Sequence, residues 1–282
     1  MNQVVAQDTA HDAHACRVAQ VVEQVEGVER VILFGSRARG DFQPGSDLDL
    51  LVVYAPGCSR SDVFLPCVQA AKAATVGEYG RSVSVDITPL ASDHFDFMQH
   101  GINHVAAHAA REGITPMGDV YRPPSEPREP TLPEHRRRES MERAFHAVGH
   151  LDALEGLFEL GPDHYRRPQQ WEINVGTQAQ RVLEHGLKAV IAAHGDAYEW
   201  RHPLGEQLEH AQRHVPGLSL RSNLAVLTTF SGGDVYDTPE LEVGADELLA
   251  DIRADVQTLF AICAEKAGFD PWAIDRSDFQ SA

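Results

Sequence analysis

Residues 35–49 read GSRARGDFQPGSDLD, and the two aspartates at its end open the run DLDLLVVY, 47–54. That run is apolar and turns β-branched toward its end, the pattern of a buried strand. Side chains on a strand alternate, so Asp47 and Asp49, flanking Leu48, share a face. Two carboxylates that close raise the pKa of at least one of them unless a cation sits between. A divalent metal turns this repulsion into binding. All-oxygen ligation suits Mg²⁺, which also takes oxygens from a nucleotide's phosphates. A DxD pair alone fits a polar strand edge equally well, so its surroundings decide.

Upstream, ERVILFG, 29–35, is a short apolar run ending in glycine and reads as a second buried strand. Gly35 permits close backbone approach, and the residues after it open a turn or helix start whose N–H groups can cradle a phosphate. The Ser36 hydroxyl can hold a terminal phosphate oxygen. Arg37 and Arg39 bring guanidinium groups suited to bidentate phosphate contact, and Ser46 joins them as a nucleotide-side candidate. Downstream, SVSVDIT, 82–88, alternates strictly and reads as a third strand. On a neighbouring strand its Asp86 can converge with Asp47 and Asp49, although it would also serve as a strand-end cap.

The spacing GS-x10-D-x-D with a later strand aspartate resembles the polymerase-β-type nucleotidyltransferase superfamily, and GSRARG…SDLDLLV resembles its minimal branch. The resemblance covers residues 29–90. It implies an enzyme that moves an NMP from an NTP to an acceptor hydroxyl and releases pyrophosphate, with Mg²⁺, two ions expected, as cofactor. Carried over by position, Asp47, Asp49 and Asp86 are the catalytic and metal-binding carboxylates, and Gly35 and Ser36 hold the triphosphate. ATP is the default donor.

Around this centre the pattern predicts helices over 11–26, 61–76 and 92–111, which completes a first domain, 1–121. YRPPSEPREPTLPEH carries five prolines in fifteen residues, so 122–135 is a linker. Apolar stripes at helical spacing follow over 136–160, 170–194 and 245–266, with shorter helices at 203–214 and 218–230. The expected fold class is α+β: a small mixed sheet with flanking helices, then an all-α bundle over 136–267 and a loosely ordered tail, 268–282. Within the bundle, 179–211 resembles HEPN domains through Lys188, a Gly195 stop and His202-Pro203-Leu204 opening the next helix. Some HEPN domains are ribonucleases with an Arg and a His a few residues apart on a late helix. Here Arg128–His135 falls in the linker and Arg143–His150 on the first helix of the bundle, so ribonuclease activity is not the expectation. Glu184, His185, Lys188 and His202 are acceptor-pocket candidates, each also a reasonable solvated or core-capping residue. Trp171, Trp200 and Trp272 read as core or interface anchors.

The composition narrows the acceptor. The net charge is −18. Residues 1–121 hold 8 Lys/Arg against 15 Asp/Glu, and the remainder holds 16 against 27. Neither part offers the basic surface of a general nucleic-acid binder, whereas an acidic protein suits a small cationic acceptor. No apolar run approaches the ~20 residues of a membrane span, and the N-terminus lacks the features of a secretion signal, so a cytoplasmic protein without a membrane partner is expected. A homodimer is also expected. Four sparse cysteines without CxxC spacing read as reduced thiols. His100, His104 and His108, four apart, would line one helix face, more simply a solvated edge than a metal site. Three readings of function stand: nucleotidylation of a small hydroxyl compound, as aminoglycoside nucleotidyltransferases perform; modification of protein or RNA within a toxin–antitoxin or defence module; and a non-catalytic nucleotide sensor, against which the three-aspartate set argues.

Overall fold

The computed structural model describes residues 12–122, 133–198, 203–231, 241 and 244–279. They fall into two compact units, one ending at Arg122 and the other starting at Pro133.

The first unit is built on three strands in the order β1 (Val28–Phe34), β2 (Leu48–Tyr54) and β3 (Val85–Ala91). β2 runs antiparallel to β1 and parallel to β3, so it is central and its apolar run is buried on both faces. Alternation sorts its residues. Leu48, Leu50 and Val52 pack toward α1 (Ala13–Glu23) and α3 (Arg60–Tyr79), beside Val18, Val22, Val63 and Cys67. Leu51 and Val53 pack on the opposite face against Phe95 and Met98 of α4 (Ser92–Met98) and Ala106 and Ala109 of α5 (Val105–Glu112). Asp49 has the parity of this second set.

Two expected elements differ. The third strand lies three residues later than its alternating pattern suggested, and it contains Pro89. Among the described residues β3 pairs with β2 alone, so a residue without an N–H is accepted there. The single helix expected over 92–111 is two helices. The chain turns between them, with Gly101 N–H donating to Met98 O, and the His104 side chain caps α5 by accepting from Ala106 N–H. His100, His104 and His108 therefore do not share a helix face.

The second unit is helical throughout its regular elements. α6 (Pro133–Leu160) and α7 (Pro168–Ala193) are joined by a short connection, followed by α8 (Leu204–His214), the short α9 (Leu224–Thr228) and α10 (Ala245–Ala267). α7 buries side chains almost all round, packing against Leu151 and Leu154 of α6 and Ile252, Val256 and Leu259 of α10. The helix expected over 218–230 is confined to α9 and a 3-10 turn, Thr229–Ser231. The reason is Asp255: its buried carboxylate accepts from Arg221 N–H, Ser222 N–H and the Ser222 hydroxyl, which holds those residues out of a helix.

The tail is not loose as far as Phe279. Phe269 is buried, Trp272 packs edge-on against Phe260 at 4.8 Å, and Arg138 of α6 donates to Asp278 O and Phe279 O at 2.8 and 2.9 Å. Trp171 is buried, with its indole N–H on Leu157 O, while Trp200 lies outside the described residues. All four cysteines are free, and no helix among the described residues is long and apolar enough to cross a membrane.

Candidate active site

The site forms where the three strands present one edge of a single face. Asp49 is the Cα partner of Phe34 on β1 and of Asp86 on β3. In a parallel pair such partners stand side by side, so the Asp49 and Asp86 carboxylates share the face. Asp47 sits one residue before β2 begins, two before Asp49, and has the same parity. Asp47 and Asp86 are exposed and Asp49 is half-buried between them.

Electrostatics records this crowding. Burial, then the charges of Asp86 and Asp47, push the Asp49 carboxyl up to about 6, and Arg39 only partly offsets them. Burial and like-charged neighbours together disfavour the ionised form of Asp49, a cost that a cation bound beside it would relieve. Three oxygen-bearing side chains on one face fit the hard-ligand preference of Mg²⁺.

Gly35 closes the site from the side of β1. Its φ is +70°, and a Cβ built on it would lie 2.2 Å from Asp49 Oδ2. Glycine is therefore required both by the backbone and by the carboxylate beside it. Gly35 and Ser36 open the five-residue α2 (Gly35–Arg39), whose first N–H groups have no helical acceptor, as at any helix start.

Arg37 does not do what its place in the motif suggests. It is buried and paired with Asp12, the N-cap of α1, and its guanidinium also donates to Ser46 O and Asp47 O. Tyr79 donates its hydroxyl to Asp12 at 2.8 Å and lies under the Arg37 guanidinium. Arg37 therefore aims the chain entering β2, and its bonds leave too few N–H groups for bidentate phosphate contact. Ser46 is part of the same turn, its hydroxyl accepting from Gln43 N–H. Arg39 is exposed and pairs with Asp41 and Glu112. Asp12 is the residue the sequence reading missed: its visible signal, an aspartate before an apolar-periodic run, announces a helix cap and nothing more.

Burial pushes the Asp12 carboxyl up, but Tyr79, Ala15 N–H and Arg37 outweigh it and hold the carboxyl below its usual range. The stability contributed by a depressed carboxylate is present above its ordinary pKa and fades as pH falls through the lowered one. Arg37→Ala strips the partner from a buried charge and is expected to cost about 3–5 kcal/mol, read as a lowered urea midpoint.

In the helical unit, Glu184 and Lys188 are buried and paired with each other at 2.6 Å, with Gln180 donating to the second Glu184 oxygen. Burial pushes the Lys188 ammonium down against the pull of Glu184. This is an internal pair one helical turn apart, not an open pocket. His202 lies outside the described residues. His185 is pushed down to about 3, first by burial and then by the Arg143 charge, and its ring stacks on His150 at 5.3 Å. Arg143 donates to the Tyr198 hydroxyl and His150 contacts Gln178.

The family model of the nucleotidyltransferase domain matches residues 15–103, from α1 to the turn after α4. The first unit is thus a nucleotidyltransferase domain, and the protein is a nucleotidyltransferase enzyme. Among solved structures, the spectinomycin adenyltransferase of Enterococcus faecialis, crystallised with ATP and spectinomycin, aligns at 10% identity with a TM-score of 0.29, covering 86% of this chain and 100% of that one. No curated protein matches the sequence.

Proposed function

We propose that this enzyme is Mg²⁺-dependent and transfers an NMP, with ATP as default donor, to a hydroxyl of a small cationic acceptor, releasing pyrophosphate. The observation that carries the reading is the pairing of Asp49 with Asp86 on adjacent strands, with Asp47 two residues before; burial and then these two charges push Asp49 up to about 6.

Asp47 and Asp49 are the residues that would hold the metal ions, with Asp86 as third carboxylate. Magnesium bound there would supply positive charge against the attacking and leaving oxygens. Asp86, on the exposed edge strand, faces the incoming hydroxyl and takes or orients its proton. Gly35 lets the backbone at the start of α2 come close to Asp49, the Ser36 hydroxyl donates to a phosphate there, and Arg39 adds charge at the rim. Most of the rate gain then comes from holding acceptor and α-phosphorus in line.

We read residues 1–121 as the catalytic domain, 122–135 as a linker whose last three residues already belong to α6, 136–267 as a HEPN-like bundle that supplies acceptor recognition and a homodimer contact, and 268–282 as a tail. The net charge of −18 favours a cationic small molecule over a nucleic acid.

The test is to incubate the protein and Mg²⁺ with each labelled NTP, offering aminoglycosides, tRNA and lysate protein as acceptors. Label on the small cation, most of it from ATP, is expected. Label on RNA or protein moves the enzyme to the defence-module reading, and no label on any acceptor overturns the proposal.

A metal requirement also appears without activity. The raised Asp49 carboxyl keeps its proton in the folded protein up to about pH 6, whereas the unfolded chain releases it near pH ~4. The metal-free protein accordingly loses stability as pH rises through that window and does not regain it above. Mg²⁺ competes with that proton. It is expected to raise the melting temperature more at about pH 7.5 than at about pH 5, and equal shifts at both would separate the metal from Asp49.

A further inference from the structure

Asp196 follows α7, while His210 and His214 lie one turn apart on α8. We propose that these three side chains form a zinc site that pins the end of α7 to the last turn of α8. The site is independent of the catalytic carboxylates.

Both histidine Nε2 atoms converge on one oxygen. His210 Nε2 lies 2.9 Å and His214 Nε2 2.8 Å from Asp196 Oδ2, and one ligand atom from each of the three residues falls within 4.8 Å of the others. The carboxylate is already aimed, because its other oxygen, Oδ1, accepts from Ala197 N–H at 2.8 Å. The His214 ring is held as well, stacked on His194 at 5.0 Å, while His194 Nδ1 is tied to Val190 O. All three ligating residues are only partly buried, which leaves a path for an ion.

The donor set selects the metal. Two imidazoles i, i+4 on one helix face plus one carboxylate is a borderline nitrogen–oxygen set, suited to Zn²⁺ rather than to Mg²⁺ or Ca²⁺. Tetrahedral zinc bonds of ~2.0–2.1 Å place ligand atoms ~3.3–3.4 Å apart, so the cluster needs to open by about half an ångström. The fourth position is left to water. His210 also lines a neighbouring cavity of about 260 Å³, with Ala197, Glu206, Glu209 and Arg213.

Without a metal, each Nε2 must carry a proton and both rings must donate to the same oxygen. One histidine would suffice to cap the turn. Two aimed at one oxygen, with a third ring bracing the second, is the arrangement a cation needs.

The test uses the full chain after chelation, titrated with Co²⁺ as a spectroscopic stand-in for Zn²⁺. One equivalent is expected to give the intense visible absorption of a four-coordinate ion, displaced by Zn²⁺. The band should be lost in His210→Ala, His214→Ala and Asp196→Asn and kept in Asp49→Asn. Zinc is also expected to raise the melting temperature of the parent protein but not of those three variants. No band in the parent protein overturns the proposal, as does a band that survives in His210→Ala or disappears in Asp49→Asn. Should an alanine variant fail to fold, Asp196→Asn keeps a hydrogen-bonding side chain of the same shape and decides the matter together with the parent's own titration.

Discussion

Asp49→Asn is expected to abolish nucleotide transfer and, in the same molecule, to stabilise the metal-free protein. The amide has the shape of the carboxylate but cannot serve as an anionic ligand, so transfer should fall by roughly 10³-fold or more. The stabilisation arises because the wild-type carboxylate is half-buried beside Asp86 and Asp47 and is pushed up to about 6. Above that pH the folded protein carries a charge it would hold more comfortably when unfolded. The neutral amide removes the repulsion. Thermal melts in chelator should show the variant above wild type at about pH 7.5, with the gap closing near pH 5, where the wild-type group is protonated. A merely structural aspartate would give the opposite sign, a variant less stable at neutral pH with transfer intact.

Gly35→Ala is the second large effect. The added methyl carbon would fall 2.2 Å from Asp49 Oδ2 and 3.0 Å from its Cγ. The Asp49 backbone is held between β1 and β3, so its side chain has to swing aside. The backbone itself resists, because φ of +70° is costly for a residue with a side chain, about 1 kcal/mol or more. Displacing a catalytic carboxylate by about an ångström is expected to lower transfer by roughly 10²-fold or more. Gly45→Ala is the matched control. Nothing lies within 4 Å of its added carbon and its φ is not positive, so near-wild-type rates and melting temperature are expected. Equal losses in the two variants would show that the loop as a whole, and not the contact between Gly35 and Asp49, matters.

What could be read directly from the chain was local. β1 and β2 were legible because their buried runs are continuous, and the aspartates of 47–49 because alternation alone puts them on one face. Asp86 was placed on a strand, but its pairing with Asp49 depends on register, and β3 begins later than its alternating pattern implies. Arg37 shows the harder limit. A guanidinium beside a phosphate motif looks the same in sequence whether it faces a ligand or reaches 25 residues back to a buried aspartate. Glu184 and Lys188 read as pocket candidates because nothing local distinguishes charged residues facing a pocket or water from an i, i+4 pair closed on itself inside a bundle. The break between α4 and α5 went unread because Gly101 and the cap at His104 are weak stop signals beside the alanine-rich stretch that follows.

The grip of Arg37 on the carbonyls of Ser46 and Asp47 separates tolerance from precision along the chain. The register of β2 is set by its ladders and by Arg37 after the turn, so the mostly exposed stretch 41–45, tied in through Phe42 and Gln43, has a smaller part in aiming the carboxylates. Lengthening it adds only about 0.6 kcal/mol of closure entropy per doubling. That makes it the natural point for descendants of this sequence to gain or lose residues, and a practical place to graft a reporter peptide. A single residue inserted two positions later, between Asp47 and Leu48, would turn Asp47 to the opposite face of the sheet.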